Sequence, residues 1–285
     1  MKTPDILLVT CAEVPRLSED DRLLLSALSA RGLFAWPAVW DNPEVDWAAS
    51  CLCVVRSAWD YHHRRDEFVA WAERVGSVTR LWNPVQTIRW NTHKGYLRDL
   101  EARGVPIVPT EWLAAGTAAD LAALMAARDW ERAVVKPAVS ASAFETIRVD
   151  RASLADGQEH LDRLLPERDM MVQPYMEAVE GYGERSLLFI GGEFTHAVRR
   201  ASSLDTDEDP TPLATQVAPT PDEAALAGEI LRAAATPALY ARVDLIRDAD
   251  GAPRLMELEL VEPSLFLSHY PPAVERFADA IARLA

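Results

Sequence analysis

Four charged residues near the end of the chain alternate along two strand-like segments. Arg242 and Asp244 lie in the first segment, and Glu257 and Glu259 lie in the second. Alternation with a period of two indicates half-buried strands, and the Asp-Gly pair at 250–251 is typical of a hairpin turn. A two-residue turn would set Arg242 opposite Glu259. It would also set Asp244 opposite Glu257, so that all four side chains share one face of the hairpin.

That face would hold three carboxylates, which repel one another unless a cation or a basic ligand neutralises them. Mg²⁺ is the usual cation for oxygen-only ligands beside phosphates. The alternative is an ordinary solvated face, since charged outer faces are common in hairpins. The opposite face is apolar and is expected to be buried: Val243, Leu245, Met256, Leu258 and Leu260.

Lys94 and Lys136 are two of the few lysines in a chain whose basic residues are nearly all arginine. Lys136 ends an apolar run and precedes a loop of small residues at 138–143. There an ammonium group can reach phosphate oxygens while backbone N–H groups approach them closely. A surface lysine at a strand end is the alternative. By the same reasoning, Arg56 could form a local surface ion pair with Asp60.

The composition is that of a globular protein of one large domain or two to three small ones, with 285 residues, 49% hydrophobic and 26% charged. A net charge of −15 argues against a nucleic-acid partner, because phosphate backbones require clustered Lys and Arg. The sequence shows no signal-peptide pattern and no apolar run of membrane-spanning length, so a cytoplasmic protein without a membrane partner is expected. Cys11, Cys51 and Cys53 are expected to be buried thiols rather than metal ligands.

The predicted elements form a parallel α/β layer followed by an α+β unit and a second sheet. The predicted strands are 5–10, 33–39, 51–55, 105–110, 133–137, 145–149, 170–175, 185–190 and 193–200. The predicted helices are 18–31, capped by Ser18, then 64–75, a segment that begins at Asn83 and Pro84 and carries 90–94, and then 94–102, 117–128 and 221–235. The acidic, proline-rich segment 204–221 predicts a surface loop.

The ordered set of charged residues resembles the ATP-grasp superfamily, closest to its glutathione-synthetase-like branch. In that family one lysine before the small central domain and one on its central strand contact ATP phosphates, and Lys94 and Lys136 match them. The loop that covers the phosphates corresponds to the segment with Ser140 and Ser142, where serines replace the usual glycines. The resemblance implies an N-terminal α/β domain at 1–88, a central lid subdomain at 89–172 and a C-terminal subdomain at 173–285.

The resemblance also implies a nucleotide site and a metal site. The strand that holds adenine through main-chain groups matches Gln173, Pro174, Tyr175 and Met176. Glu184 is the first choice for the acid that binds the ribose hydroxyls, and Glu177 is the second. Asp244, Glu257 and Glu259 match the metal ligands for two Mg²⁺ ions. Glu259 replaces the family's usual asparagine, and its extra charge could tighten Mg²⁺ or select Mn²⁺.

The chemistry that the resemblance implies is the formation of an acylphosphate. A substrate carboxylate attacks the γ-phosphate of ATP, and a nitrogen nucleophile then attacks the acyl carbon. Arg242 is expected to stabilise the oxyanion or the departing phosphate. Arg199 or Arg200 is expected to contact the transferred phosphate or the substrate. No general base stands out.

Within the superfamily, the runs at 56–61, 136–144 and 257–264 resemble the cycloserine-forming ligases, in which O-ureido-D-serine is cyclised with ATP. This resemblance implies an amino-acid-like substrate held by Arg56, Ser57, Asp60 and Ser264. The alternatives are a ligase that joins a carboxylate to a separate amine, making a dipeptide or an amide, and a non-catalytic nucleotide-binding module. A homodimer is left open.

Overall fold

The first sheet is parallel and carries the amino-terminal third of the chain. The computed structural model describes residues 3–200 and 214–285. The strands of this sheet are β1 (Ile6–Thr10), β2 (Ala35–Val39), β3 (Leu52–Ser57) and β4 (Arg80–Trp82), in the order β2-β1-β3-β4. The helices α1 (Glu19–Ser29) and α2 (Arg65–Val78) connect them. The Ser18 side chain accepts a hydrogen bond from the Asp21 N–H, so the predicted cap of α1 is confirmed.

The second sheet is antiparallel and has its own apolar core. It contains β5 (Glu111–Leu113), β6 (Ala133–Pro137), β7 (Ile147–Val149) and β8 (Met170–Pro174), in the order β5-β8-β6-β7. The helices that precede or cover it are α3 (Val85–Asn91), α4 (Tyr96–Ala102), α5 (Leu121–Ala127) and α6 (Leu154–Leu164). Leu121, Val135, Leu161 and Val172 are all fully buried in this core.

The third sheet carries the charged hairpin. Its strands are β9 (Glu184–Ile190), β10 (Glu193–Arg200), β11 (Thr215–Val217), β12 (Tyr240–Arg247) and β13 (Pro253–Glu259), in the order β11-β10-β9-β12-β13. The helices α7 (Pro221–Ala234) and α8 (Pro271–Ala282) flank it. In the described part of the chain, no helix combines the length and apolar character needed to cross a membrane.

The first and third sheets share one core, which fixes their relative position. Ile6 and Leu24 of the first layer pack in the same buried cluster as Leu188 and Phe277. Asn83 joins the layers through its side chain, which donates to the Leu260 carbonyl at 2.5 Å and accepts from the Leu239 N–H at 2.7 Å. Buried polar groups with full sets of partners favour a single arrangement of the packed layers.

Several predictions were wrong. Residues 105–110 form only one bridge, between Ile107 and Leu255, because Pro106 and Pro109 lack the N–H groups that a strand ladder needs. The short strand β5 follows them instead, and α6 and α8 had no predicted counterpart. Cys51 is exposed, whereas Cys11 and Cys53 are buried as expected. The predicted loop 204–221 lies outside the described residues up to 213, and its later part contains β11 rather than only loop.

Candidate active site

The register of the charged hairpin is the one that the sequence predicts. Arg242 pairs with Glu259, and Asp244 pairs with Glu257. The turn is longer than two residues, because the Asp248 N–H bonds to the Ala252 carbonyl at 2.9 Å. A bulge after Asp244 absorbs the difference and keeps the charged pairs in register.

The same bulge overturns one burial prediction. The strand residue left over at the bulge is Met256, which is only half-buried. Leu255 takes its place in the core and is fully buried beside Val243 and Leu258. The apolar face of the hairpin is therefore still buried, although the strict alternation of apolar and charged residues is interrupted at the bulge.

Three carboxylates converge on the charged face of the hairpin. Oxygens of Asp244, Glu257 and Glu259 all lie within 4.8 Å of one another. Asp244 is fully buried, and the other two are half-buried. An oxygen-only set of this kind suits a hard divalent cation such as Mg²⁺.

Two arginines bind the buried carboxylate at the centre of this cluster. Arg242 donates from Nε to Asp244 Oδ1 at 2.9 Å and also contacts Glu259. Arg200 donates to Asp244 Oδ2 at 2.9 Å and to Glu184 at 2.5 Å. Burial opposes ionisation of Asp244, but the charges of Arg200 and Arg242 outweigh it and lower the pKa of Asp244. Asp244 is therefore a stable carboxylate despite complete burial.

Of the two neighbouring arginines, only Arg200 enters the cluster. Arg199 extends to the other side of β10, where it donates to the Tyr182 carbonyl at 2.9 Å and the Gly181 carbonyl at 2.7 Å. Successive side chains of a strand point to opposite faces, so one of the pair had to turn away. Glu184 lies beside Arg200, whereas Glu177 is exposed and ion-paired with Arg132. The geometry favours Glu184 over Glu177 as a cleft residue.

Lys94, between α3 and α4, and Lys136, on the second sheet, both approach the carboxylates. Lys94 Nζ lies 2.5 Å from Glu257 Oε1 and 3.0 Å from the Ser140 carbonyl. Lys136, on β6, is partly buried, and burial lowers its pKa to about 8 against the opposing charge of Glu257. Burial also raises the pKa of Glu259 to about 7, although Arg242 opposes the shift. In residues 3–200 and 214–285, Lys136 has no carboxylate within 4.0 Å.

The loop of small residues at 138–143 is held by ring contacts of the next residue, Phe144, as well as by hydrogen bonds. Ser140 Oγ donates to the Phe144 carbonyl at 3.1 Å. The Phe144 ring lies 4.9 Å from the His62 ring and 4.8 Å from the His63 ring, so the loop touches the first layer. Ser142 is exposed and has a positive φ of 49°. The loop therefore lies above Lys94 and next to Lys136.

The residues matched to the adenine strand lie on and just after β8. Gln173 is buried and donates to Thr110 Oγ1 at 2.8 Å. Pro174 ends β8, and Met176 is half-buried. The Tyr175 N–H donates to the Arg132 carbonyl at 3.0 Å. Adenine binding by these main-chain groups stays a prediction.

The residues matched to the substrate loop are more deeply bound than the sequence suggests. Arg56 is buried, donates to Asp21 at 2.9 Å and to the Pro263 carbonyl at 2.7 Å, and stacks 4.7 Å from the Tyr240 ring. Ser57 donates to the other oxygen of Asp21 at 2.6 Å. The surface ion pair between Arg56 and Asp60 does not form.

Asp60 and Ser264, the other two residues matched to the substrate site, have partners of their own. Asp60 accepts from Trp40 Nε1 at 2.8 Å and pairs with Arg64. The Ser264 carbonyl accepts from Arg242 at 3.4 Å. Sequence reasoning missed Asp21, which resembles any acid in a first helical turn. It also missed Glu262, whose position two residues before Ser264 was the only available signal.

Comparison with known proteins gives the family. The chain is 38% identical to the cycloserine biosynthesis protein DcsG of Streptomyces lavendulae, over 97% of each chain. A model of the N-terminal domain of D-cycloserine synthetase DcsG matches residues 6–83. The chain belongs to the DcsG family. A crystal structure from that family, of D-cycloserine synthetase DcsG, matches with a TM-score of 0.90 and 35% identity, covering 98% of this chain and 99% of that one.

More distant structures share the fold. A RimK domain ATP-grasp protein from Sphaerobacter thermophilus matches with a TM-score of 0.68 at 22% identity, covering 96% of this chain and 98% of the other. The ATP-grasp ligase PsnB, complexed with a precursor peptide and AMPPNP, matches with a TM-score of 0.66 at 15% identity, covering 100% and 99%. The predicted ATP-grasp fold is confirmed.

Proposed function

We propose that this chain is an ATP-dependent ligase that converts a substrate carboxylate into an acylphosphate for attack by a nitrogen nucleophile, releasing ADP and phosphate. We further propose that carboxylate and nitrogen belong to one molecule of O-ureido-D-serine, which is cyclised to D-cycloserine, and that water then removes the carbamoyl group of the attacking nitrogen as carbon dioxide and ammonia. Membership of the DcsG family supports the substrate. The site geometry supports the reaction class.

The observation that carries the proposal is the convergence of opposite charges on one face of the hairpin. Asp244, Glu257 and Glu259 form an oxygen-only set, and Arg242 and Arg200 lie within hydrogen-bond distance of it. Phosphoryl transfer requires little covalent chemistry from a protein. It depends on positioning and on balancing the charge that spreads over phosphate oxygens. A site built from these groups suits that demand.

Each residue has a separate task in the proposed reaction. When bound with ATP, Mg²⁺ held by Asp244, Glu257 and Glu259 would neutralise phosphate charge. Lys136 has no carboxylate partner among the described residues, so its ammonium is available to phosphate oxygens. Lys94 links Glu257 to the small-residue loop through the Ser140 carbonyl.

The arginines would act on the second half of the reaction. Attack by nitrogen on the acyl carbon produces an oxyanion and then expels phosphate, and both carry negative charge close to the former carboxylate. Arg242 is fixed by Asp244 and Glu259, so its guanidinium can stabilise that charge without moving. Arg200 is held in the same way by Asp244 and Glu184.

Incubation of the purified protein with O-ureido-D-serine, ATP and Mg²⁺ tests the proposal. We expect ADP release and a cyclic product, detected by coupled assay and mass spectrometry. Glu257→Gln should abolish turnover without unfolding the protein, whereas Glu193→Gln, an exposed site on the same sheet, should leave it unchanged. If neither ADP nor a cyclic product forms, the assignment of O-ureido-D-serine as the substrate is refuted. ADP release that requires a separate amine would support the intermolecular ligase instead.

A further inference from the structure

Among the described residues, one buried carboxyl group close to the charged face of the hairpin has no basic partner. Glu262 is 8% exposed and follows the last strand of the hairpin. Asp244, Glu257, Glu259 and Glu184 each pair with an arginine or a lysine. Within the described ranges 3–200 and 214–285, no basic nitrogen lies within 4.0 Å of the Glu262 carboxylate. A buried carboxylate without a counter-ion is costly unless a ligand supplies one.

The backbone that carries Glu262 is fixed from both sides of the cleft. Trp59 Nε1 donates to the Glu262 carbonyl at 3.1 Å, and Arg56 donates to the next carbonyl, that of Pro263, at 2.7 Å. Arg242 reaches the Ser264 carbonyl at 3.4 Å. Three side chains from two layers thus hold three successive carbonyls. Such a rigid segment is preorganised for binding rather than free to swing away.

The side chain of Glu262 is also held in place. Its carboxyl group is hydrogen-bonded to the Tyr61 hydroxyl, and the Tyr61 ring packs 5.3 Å from the buried Phe68 ring. Burial, reinforced by the charges of Glu259 and Glu257, raises the pKa of Glu262 well above its ordinary value. A tyrosine hydroxyl alone does not balance the charge of a carboxylate. A cationic ligand would do so.

The position of Glu262 separates it from the candidate metal ligands while keeping it in the same cleft. The carboxylates that lie within 4.8 Å of one another are Asp244, Glu257 and Glu259, and Glu262 is not among them. Glu262 is nevertheless close enough for the charges of Glu259 and Lys94 to affect it. A group bound by Glu262 would therefore lie beside the reacting carboxylate. In an α-amino acid, the group at that place is the ammonium.

We propose that Glu262 binds the α-ammonium group of the amino-acid substrate, with Tyr61 positioning its carboxylate, and so selects amino acids over simple carboxylic acids. The inference rests on the proposed function, because it concerns the substrate of the same site. It adds the residue that recognises the amine, which is distinct from the metal and phosphate ligands. A cation matched to a rigid, desolvated carboxylate contributes strongly to affinity.

Steady-state kinetics with a matched pair of substrates tests this proposal. The pair is the amino acid that supports ADP release and its analogue with hydrogen in place of the α-amine. The wild type should prefer the amino acid by about 30-fold or more in kcat/KM, as expected for a buried charge pair. Glu262→Gln should raise KM for the amino acid by a similar factor. KM for ATP and kcat/KM for the analogue should change little.

Two further variants separate recognition from folding. Tyr61→Phe keeps the ring and should raise KM for the amino acid about threefold to tenfold, as the loss of one positioning hydrogen bond predicts. Glu193→Gln, an exposed site, should change nothing. Thermal unfolding reports whether Glu262→Gln folds. If it does not, the preference of the wild type and the effect of Tyr61→Phe decide the matter.

The outcomes distinguish this inference from the proposed function. Equal use of both substrates by the wild type, or unchanged KM in Glu262→Gln, would overturn the role of Glu262 while leaving the ligase intact. If the wild type releases no ADP with any substrate, calorimetric binding of O-ureido-D-serine in the presence of ADP and Mg²⁺ still applies. Binding that is lost in Glu262→Gln would support the inference, and equal binding or none by the wild type would overturn it.

Discussion

The affinity for ATP should weaken as the pH rises through about 8, because Lys136 loses its proton there. Burial lowers the pKa of this lysine to about 8, and the charge of Glu257 only partly opposes the shift. Phosphate binding favours the ammonium form, so it raises the pKa of Lys136 in the complex. ATP binding above pH 8 must therefore take up a proton, and its affinity must fall with increasing pH.

The size of the effect follows from the pKa. A group with a pKa near 8 is about 90% protonated at pH 7 and about 10% protonated at pH 9. If only the ammonium form binds phosphate, the apparent Kd should rise about tenfold over this range, or about 1.4 kcal/mol. Lys94 does not contribute to this pH dependence. Burial of its ammonium lowers the pKa of Lys94, but the charge of Glu257 outweighs burial and raises it.

Calorimetry with a non-hydrolysable ATP analogue and Mg²⁺ at pH 7, 8 and 9 measures the predicted change. Repeating the titration at pH 9 in buffers of different ionisation enthalpy gives the proton uptake directly. Lys136→Arg is the matched control, because a guanidinium stays charged over the whole range. The pH dependence of the Kd of this variant separates the effect of Lys136 from that of Glu259, whose pKa is raised to about 7 by burial.

A wild-type Kd that is equal at pH 7 and pH 9 would refute this reasoning. So would the same tenfold rise in Lys136→Arg, since the change would then belong to another group. Either result would remove Lys136 from the phosphate site.

Three other predictions concern the hairpin and its support. Asp244→Asn should abolish turnover and lower the free energy of unfolding by about 3 kcal/mol in a denaturant titration, because two arginines lose their shared counter-charge; normal activity would contradict the assignment. Asn91→Ala should lower the free energy of unfolding by about 2–4 kcal/mol, because the Leu258 carbonyl and the Leu260 N–H lose their buried partner. Equal stability of that variant and of the exposed-site control Asn42→Ala would contradict this. Glu259→Asn should raise KM for Mg²⁺ about tenfold and shift the Mn²⁺ to Mg²⁺ activity ratio, as a lost ligand charge implies; unchanged metal kinetics would show that Glu259 is not a ligand.

Local patterns were enough to predict the charged hairpin. Alternation places Arg242, Asp244, Glu257 and Glu259 on one face whatever the exact turn, and the observed bulge preserves their pairing. Three strands of the parallel first sheet were predicted from apolar runs and an intervening helical pattern, but its edge strand β4 was not.

Features that depend on distant contacts were not predictable. Nothing local distinguishes Arg199 from Arg200, and the side of β10 that faces Asp244 is set by pairing with β9. Arg56 was expected to hold the substrate or to pair with Asp60 at the surface, but its partners Asp21 and Pro263 come from separate parts of the chain. The division at 88 and 172 stays a prediction.

The transfer of oxygen from substrate to phosphate tests the central claim most directly. O-ureido-D-serine labelled with ¹⁸O in its carboxylate should be incubated with ATP, Mg²⁺ and the protein, and the released phosphate analysed by mass spectrometry. An acylphosphate route predicts one ¹⁸O atom in each phosphate, because the carboxylate oxygen that attacks phosphorus leaves with it. Phosphate released without the label would contradict the account.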